Sequence, residues 1–286
     1  MLGKLIKYEW KDVYKIGLLM LSIIFGVTLI GVLYFHTPLW NQLFSNQVNE
    51  NSFAILTGAM SGVGSLLLYV FMLVGVSYGI MIYIGVHFYR TMYTDQGYLT
   101  QTLPVKSGQL LISKLFVGGI WVILVELAII ASVIALGGGM VSGFMVEYGM
   151  DWDLRALFRE LYWAFEEEMG IGFFRYLVSM ILTLVIGPFM GMSVLFGAIT
   201  IGQLSGKHKG MMGIVAYFVL AFVNSLLSML VSVMITFGSV AMRTVVSEEY
   251  YTYNSTYDAS LITSVVMGVV MFFVAQYILK NKLNMD

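Results

Sequence analysis

The sequence predicts an all-α polytopic membrane protein with six transmembrane helices and both termini in the cytoplasm. Only 11% of the 286 residues are charged and 59% are hydrophobic, whereas a typical soluble domain is about one quarter charged. The charges are also confined to short segments, between apolar stretches long enough to cross about 30 Å of hydrocarbon. An ordinary soluble fold is excluded, because its surface would lack polar side chains.

Six apolar stretches meet the length requirement of about 20 residues for a spanning helix. They are residues 17–35, 62–86, 110–136, 176–201, 211–237 and 260–279. The third stretch contains Lys114 near its start and Glu126 near its middle. Because the chain contains no internal repeat, linker or low-complexity tract, residues 1–286 are interpreted as a single transmembrane domain.

The orientation follows from the distribution of Lys and Arg, which are enriched in cytoplasmic loops. With both termini inside, 11 of the 15 Lys and Arg residues lie on the cytoplasmic side. These are Lys4, Lys7, Lys11, Lys15, Arg90, Lys106, Lys114, Lys207, Lys209, Lys280 and Lys282. The other four lie in external segments that also contain most of the acidic residues. The inverted orientation fits this pattern far worse.

Residues 1–15 have the periodicity of a basic amphipathic helix that lies on the inner leaflet. The apolar face is formed by Leu2, Leu5, Ile6, Trp10, Val13 and Tyr14. The opposite face is formed by Lys4, Lys7, Lys11 and Lys15. The alternative is a merely charged start to the first span. A second amphipathic helix is predicted outside the membrane over 151–169, where apolar residues recur at helical spacing between charged ones.

The cytoplasmic segment between the second and third spans has an unusual pattern. An acid is followed by x-Gly-x-Leu, then by Leu-Pro-Val-Lys, and a further lysine, Lys114, lies just inside the next span. Pro104 ends a short helix, since proline disfavours helix at the preceding residue and lacks an amide donor. A new helix is expected to begin near Ser107. A short helix with a fixed turn could dock into a groove on a soluble partner; a simple cytoplasmic turn is the alternative.

This pattern resembles the permease subunits of bacterial ABC-2 type ABC exporters, in which the segment is the coupling helix that docks on the ATPase. The resemblance implies that residues 1–15 are the elbow helix of that family. It also implies a separate ABC ATPase, a second permease copy or a sister permease, and a location in the bacterial cytoplasmic membrane. The ATPase-coupling residues implied by the motif are Asp95, Gly97, Leu99, Leu103, Pro104 and Lys106.

Several functions are disfavoured by what the sequence lacks. No G-x-x-x-x-G-K-[ST] phosphate loop occurs, so ATP and Mg²⁺ are expected on the partner ATPase, and this chain is expected not to be an enzyme. The absence of cysteine excludes thiolate metal sites and thiol nucleophiles. The net charge of −1 argues against a nucleic-acid partner.

Four polar residues inside spans are candidates for a transport path. Glu126 either contacts cationic groups of a cargo or is a neutral acid bonded to a neighbouring helix, because a charge at this depth costs about 2.5 to 3.5 kcal/mol. Asn224, Ser228 and Ser232 in the fifth span either line a cavity or join helices by hydrogen bonds.

The expected function is export of an amphiphilic cargo, such as an antimicrobial peptide, a drug or a lipid-like molecule. A membrane sensor or scaffold partnered with an ATPase is the first alternative. An intramembrane enzyme is a further alternative, but its metal would need acids and histidines within spans, and the paired acids here lie in external loops.

Overall fold

The computed structural model describes residues 2–35, 52–94, 97, 105–148, 155, 159, 160, 162, 163, 173–206, 208–241 and 248–281. Across these residues the chain is helical, with short turns and no strand. The six long helices are α1 (Leu2–Phe35), α2 (Ser52–Tyr93), α3 (Ser107–Tyr148), α4 (Phe173–Gly202), α5 (Lys209–Ala241) and α6 (Glu248–Asn281).

All six helices are long and apolar enough to cross a membrane. The segments that qualify are Leu2–Tyr34, Gly62–Tyr93, Ser107–Met140, Tyr176–Gly202, Lys209–Gly238 and Asp258–Asn281. Each contains most or all of one predicted span. The prediction of an all-α chain with six such helices is therefore confirmed, and this is the architecture of a multi-pass membrane protein. The orientation in the membrane stays a prediction.

The first helix differs from expectation in its continuity. Residues 2–35 form one helix of 34 residues, with no break between the predicted amphipathic segment and the first span. The sequence offers no reason for a break, since neither proline nor a Gly-Gly pair occurs near Gly17. On the predicted basic face, Lys4, Lys7, Lys11 and Lys15 are all exposed, and so is Tyr14 of the predicted apolar face. The position of this segment on the inner leaflet stays a prediction.

The chain divides into two compact units. The first unit consists of Met1–Lys11, Tyr83–Ile123 and Arg155–Asp286. Within it, α4, α5 and α6 pack against one another. The end of α4 approaches α5 closely, because a Cβ atom at Gly202 would overlap the backbone of Gly213.

Two further contacts consolidate the first unit. The ring of Phe88 stacks on Phe196, with centroids 4.1 Å apart, and both side chains are 1% exposed. The hydroxyl of Ser193 donates a hydrogen bond to the carbonyl of Gly268 at 2.6 Å, which joins α4 to α6. Helix α4 continues through Pro188.

The second unit consists of Asp12–Ile82 and Leu124–Leu154. Its polar centre is the hydroxyl of Ser132, which lies 2.5 Å from the hydroxyl of Thr28 and 2.5 Å from that of Tyr69. Three helices are thus joined by hydroxyl groups rather than by charges.

The predicted external helix over 151–169 lies mostly outside the described residues. The members of this segment that are described, Arg155, Arg159, Glu160, Tyr162 and Trp163, are helical and exposed. The prediction that 1–286 forms a single domain stays a prediction.

Candidate functional site

The predicted coupling segment connects the end of α2 to the start of α3. Of its six implied coupling residues, the structure describes Gly97 and Lys106. The other four, Asp95, Leu99, Leu103 and Pro104, lie outside the described residues.

Gly97 occupies a position that no other residue can take without rearrangement. It is buried, and its N–H donates a hydrogen bond to the carbonyl of Thr94 at 2.7 Å. A Cβ atom at Gly97 would overlap the carbonyl group of Met92. The glycine of the motif therefore allows the chain to turn back tightly on the end of α2.

Lys106 marks the start of α3. Its carbonyl accepts hydrogen bonds from the N–H groups of Gln109 at 2.9 Å and Leu110 at 3.3 Å, while its side chain is exposed. The helix begins at Ser107, the position predicted from the sequence. The exposed ammonium of Lys106 is available to a partner at the surface.

A buried polar cluster lies beside the two helix ends that flank the coupling segment. Glu9 accepts a hydrogen bond from Lys114 Nζ at 2.5 Å through one carboxylate oxygen. Its other oxygen lies 3.2 Å from His87 Nε2. Lys114 also donates to the hydroxyl of Thr91 at 2.7 Å. We call these four residues, Glu9, His87, Thr91 and Lys114, the Glu9–Lys114 cluster.

The cluster is shielded from solvent. The side chain of Lys114 is 3% exposed, and those of Glu9 and His87 are each 16% exposed. Thr91 completes the network by donating to the carbonyl of His87 at 2.8 Å. An ammonium group this deeply buried requires a counter-charge, because an unpaired buried ion costs several kcal/mol. The cluster thus holds the starts of α1 and α3 against the end of α2.

Aromatic and hydroxyl contacts reinforce the same region of the first unit. The indole of Trp10 stacks on Trp121, with ring centroids 5.0 Å apart, which adds a second contact between α1 and α3. The hydroxyl of Tyr93 lies 2.7 Å from that of Thr200, so the last residue of α2 is also joined to α4. Four helices are therefore linked at the ends of the coupling segment.

Glu9 was not predicted as a functional residue, and His87 was not predicted as its partner. A signal for Glu9 exists in the sequence, because at 100° per residue it falls on the apolar face, four positions from both Leu5 and Val13. An acid in the middle of an apolar face needs a buried cation. The choice of Lys114 was not predictable, since it lies 105 residues away.

The candidate transport-path residues fall into different parts of the structure. Glu126 belongs to the second unit and is half-buried. Within the described residues, no hydrogen-bond or ion-pair partner is seen for its carboxyl group. Both interpretations of Glu126, cargo contact and structural acid, stay predictions.

The other three candidates lie on α5 in the first unit. Asn224 lines a cavity of about 180 Å³ between α4, α5 and α6, and its amide oxygen is buried without a hydrogen-bond partner among the described residues. Ser228 and Ser232 are half-buried. The hydroxyl of Thr236 donates to the carbonyl of Ser232 at 2.9 Å within the helix.

Metal chemistry has no evident site in the part of the chain that is described, since no three His, Asp or Glu side chains there are grouped closely enough to hold an ion. What the Glu9–Lys114 cluster does show is a buried ion pair that joins α1 to α3. Comparison of the chain with models of protein families, with curated proteins and with solved structures finds no match in any of the three.

Proposed function

We propose that this chain is the permease subunit of an ATP-driven exporter of the ABC-2 type. The observation that carries the proposal is the Glu9–Lys114 cluster, which joins α1 to the helices on both sides of the coupling segment. The six helices of membrane-spanning length and the segment pattern from Asp95 to Lys114 support the same conclusion.

The cluster suits the transmission of movement from a soluble partner. When an ATPase pushes on the segment between α2 and α3, both helix ends receive the force directly. Separating Lys114 from Glu9 inside the bundle would leave two uncompensated charges, at a cost of about 3 to 5 kcal/mol. The start of α1 therefore moves with α2 and α3 rather than slipping past them.

The remaining parts of the proposal follow the resemblance. The ATPase is a separate chain that binds ATP and Mg²⁺, and the permease pairs with a second copy or a sister permease. The cargo is an amphiphile that crosses the bacterial cytoplasmic membrane, with Glu126 and the polar face of α5 as candidate contacts. Exposed Lys106 is a candidate contact for the ATPase.

The test is co-purification of the chain with an ABC ATPase from its native membrane, followed by reconstitution of the pair in liposomes. We expect the pair to co-purify and to hydrolyse ATP faster when an amphiphilic cargo is added. Gly97→Ala should lower this stimulation at least fivefold, because the added methyl group displaces the segment from Met92. Gly75→Ala on α2 is the matched control, since its Cβ would meet no atom within 4 Å.

Three results would contradict the proposal or change its class. ATP hydrolysis by the purified permease alone would remove the need for a partner. Equal stimulation in the Gly97→Ala and Gly75→Ala variants would show that the segment does not couple. Stimulated hydrolysis with no cargo movement would identify a sensor rather than an exporter.

A further inference from the structure

The first helix carries a row of lysines that the Glu9–Lys114 cluster does not use. Lys4, Lys7, Lys11 and Lys15 recur at steps of three or four residues, which places them on one face of α1, and all four are exposed. Val13, on the opposite face, is buried. We call the four residues the α1 lysine row. It faces away from the packed side of the helix.

The same face of α1 continues beyond Lys15 as an apolar row. Further steps of three or four residues lead to Leu18, Ser22, Phe25, Leu29 and Leu33, all of which are exposed. The hydroxyl of Ser22 donates to the carbonyl of Leu18 at 2.6 Å, so it is satisfied within the helix, as a lipid-facing position requires. Residues 2–35 form one uninterrupted helix, so helix geometry alone keeps the two rows on one side.

The dimensions of a bilayer assign each row to a layer. Lys15 and Leu33 are 18 positions apart, or about 27 Å along a helix, close to the hydrocarbon thickness of about 30 Å. Lys11 lies about 6 Å beyond Lys15, within a headgroup layer of about 5 to 8 Å, whereas Lys4 and Lys7 lie about 12 to 17 Å beyond it. When the apolar row occupies the hydrocarbon, Lys11 and Lys15 are therefore at the depth of lipid phosphates.

Charge selects the headgroup that these two lysines fit. Side chains four residues apart on a helix are neighbours, so both ammonium groups can contact one phosphate. Glu9 is turned to the packed side and paired with Lys114, and Asp12 lies about a quarter turn from the row. A zwitterionic headgroup brings a cation of its own, whereas an anionic one leaves its charge for the lysines. A soluble protein fits poorly at Lys15, because the same face becomes apolar three residues later.

We propose that the α1 lysine row binds an anionic phospholipid. Lys11 and Lys15 hold its phosphate, and its acyl chains lie along Leu18 and Phe25. The headgroup has the chemistry of phosphatidylglycerol, with one negative charge and no cation. The site does not depend on the proposed transport function, because lipid binding requires neither an ATPase nor cargo movement.

The test uses the full chain in phosphatidylcholine nanodiscs that contain a trace of a photoreactive lipid. The probe is either phosphatidylglycerol or phosphatidylcholine, each with a diazirine in the acyl chain. We expect ultraviolet labelling of α1 to be at least about fivefold stronger with the phosphatidylglycerol probe, the effect of one lysine at an anionic surface. This preference should weaken in about 0.5 M salt, which screens exposed charges. Equal labelling of α1 by the two probes would overturn the proposal.

Two double variants with the same loss of charge locate the phosphate. Lys11→Gln/Lys15→Gln should reduce the preference for phosphatidylglycerol to less than about twofold, whereas Lys4→Gln/Lys7→Gln should keep more than half of it. Lys11→Arg/Lys15→Arg keeps both cations and should retain the preference. Equal losses in the two glutamine variants would show general attraction to positive charge instead of a phosphate site, and would also overturn the proposal.

Two further measurements separate a lipid site from other effects of the variants. All four lysines are exposed, so each variant should have the thermal midpoint of the unaltered protein in an uncharged detergent. The alternative occupant is an acidic protein surface. If Lys11→Gln/Lys15→Gln kept the lipid preference but lost co-purification with an ATPase, the row would be a protein contact and the proposal would be wrong. Loss of the lipid preference with unchanged co-purification supports the lipid site.

Discussion

At the scale of single residues, Lys114 is the charged side chain that depends most on its partners. Its ammonium group is nearly removed from solvent, yet it lies near the start of an apolar helix. Glu9 supplies the charge and Thr91 supplies an acceptor, so two of the three N–H groups of Lys114 have partners. The buried ammonium group of Lys114 is therefore stable only as part of the Glu9–Lys114 cluster.

Lys114→Met should destabilise the protein by about 3 kcal/mol, because Glu9 would remain buried without its cation. Lys106→Met is the matched control, since Lys106 is exposed and its loss should cost less than about 0.5 kcal/mol. The free energy of unfolding of each variant can be measured by equilibrium unfolding in mixed detergent micelles. The double variant Glu9→Gln/Lys114→Met should recover more than half of the loss. Equal stability of the Lys114→Met and Lys106→Met variants would show that the cluster contributes nothing.

At the scale of helices, the short connection between α4 and α5 depends on close backbone approach. Gly202 ends α4 where its Cα faces the backbone of Gly213 on α5. Between them, His208 has a positive φ of 57° and its carbonyl accepts the N–H of Met212 at 3.0 Å, which starts α5. The two helices can lie this close because neither carries a side chain at the contact.

Gly202→Ala should therefore cost about 1 to 3 kcal/mol, since the methyl group would have to push the two backbones apart. Gly206→Ala, only four positions further along the chain, is the control because a Cβ atom there meets nothing within 4 Å. The measurement is the thermal midpoint of each variant in the same detergent. If the Gly202→Ala variant were as stable as the Gly206→Ala variant, the close backbone contact between Gly202 and Gly213 would be contradicted.

At the scale of the whole molecule, the natural absence of cysteine allows the topology to be tested directly. Lys4→Cys and Lys280→Cys place single thiols near the two ends of the chain, and Arg155→Cys places one in the predicted external segment; all three positions are exposed. In intact cells, a membrane-impermeant maleimide should label only Arg155→Cys. After permeabilisation all three should react. Labelling of the Lys4→Cys or Lys280→Cys variant in intact cells would contradict the predicted cytoplasmic location of the two termini.

The number and position of the long helices were predictable because each depends on a local run of apolar residues. Gly62–Val86, for example, falls wholly within α2. The start of α3 at Ser107 was also predictable, from Pro104 and the apolar run that follows. The lengths of the helices were less predictable. Helix α2 begins at Ser52, ten residues before its predicted span, because the apolar residues preceding Gly62 continue the helix.

The candidate site was only partly predictable, because its contacts join distant positions. Gly97 and Lys106 were identified from the motif, but the pairing of Glu9 with Lys114 and His87 depends on how three helices pack. The same is true of Asn224, which the polar face of α5 suggested without indicating the adjoining cavity. Local pattern locates helices and motifs; side-chain partners 78 or 105 residues apart follow from tertiary packing.

The pairing of Glu9 with Lys114 also sets an order of events during synthesis. Glu9 emerges from the ribosome long before Lys114, so for the time taken to synthesise α1 and α2 its carboxylate has no lysine partner in the bundle. The first helix can settle in its final place only after α3 has entered the membrane. A chain interrupted just before residue 114 would leave Glu9 with His87 but without the ammonium group that balances its charge.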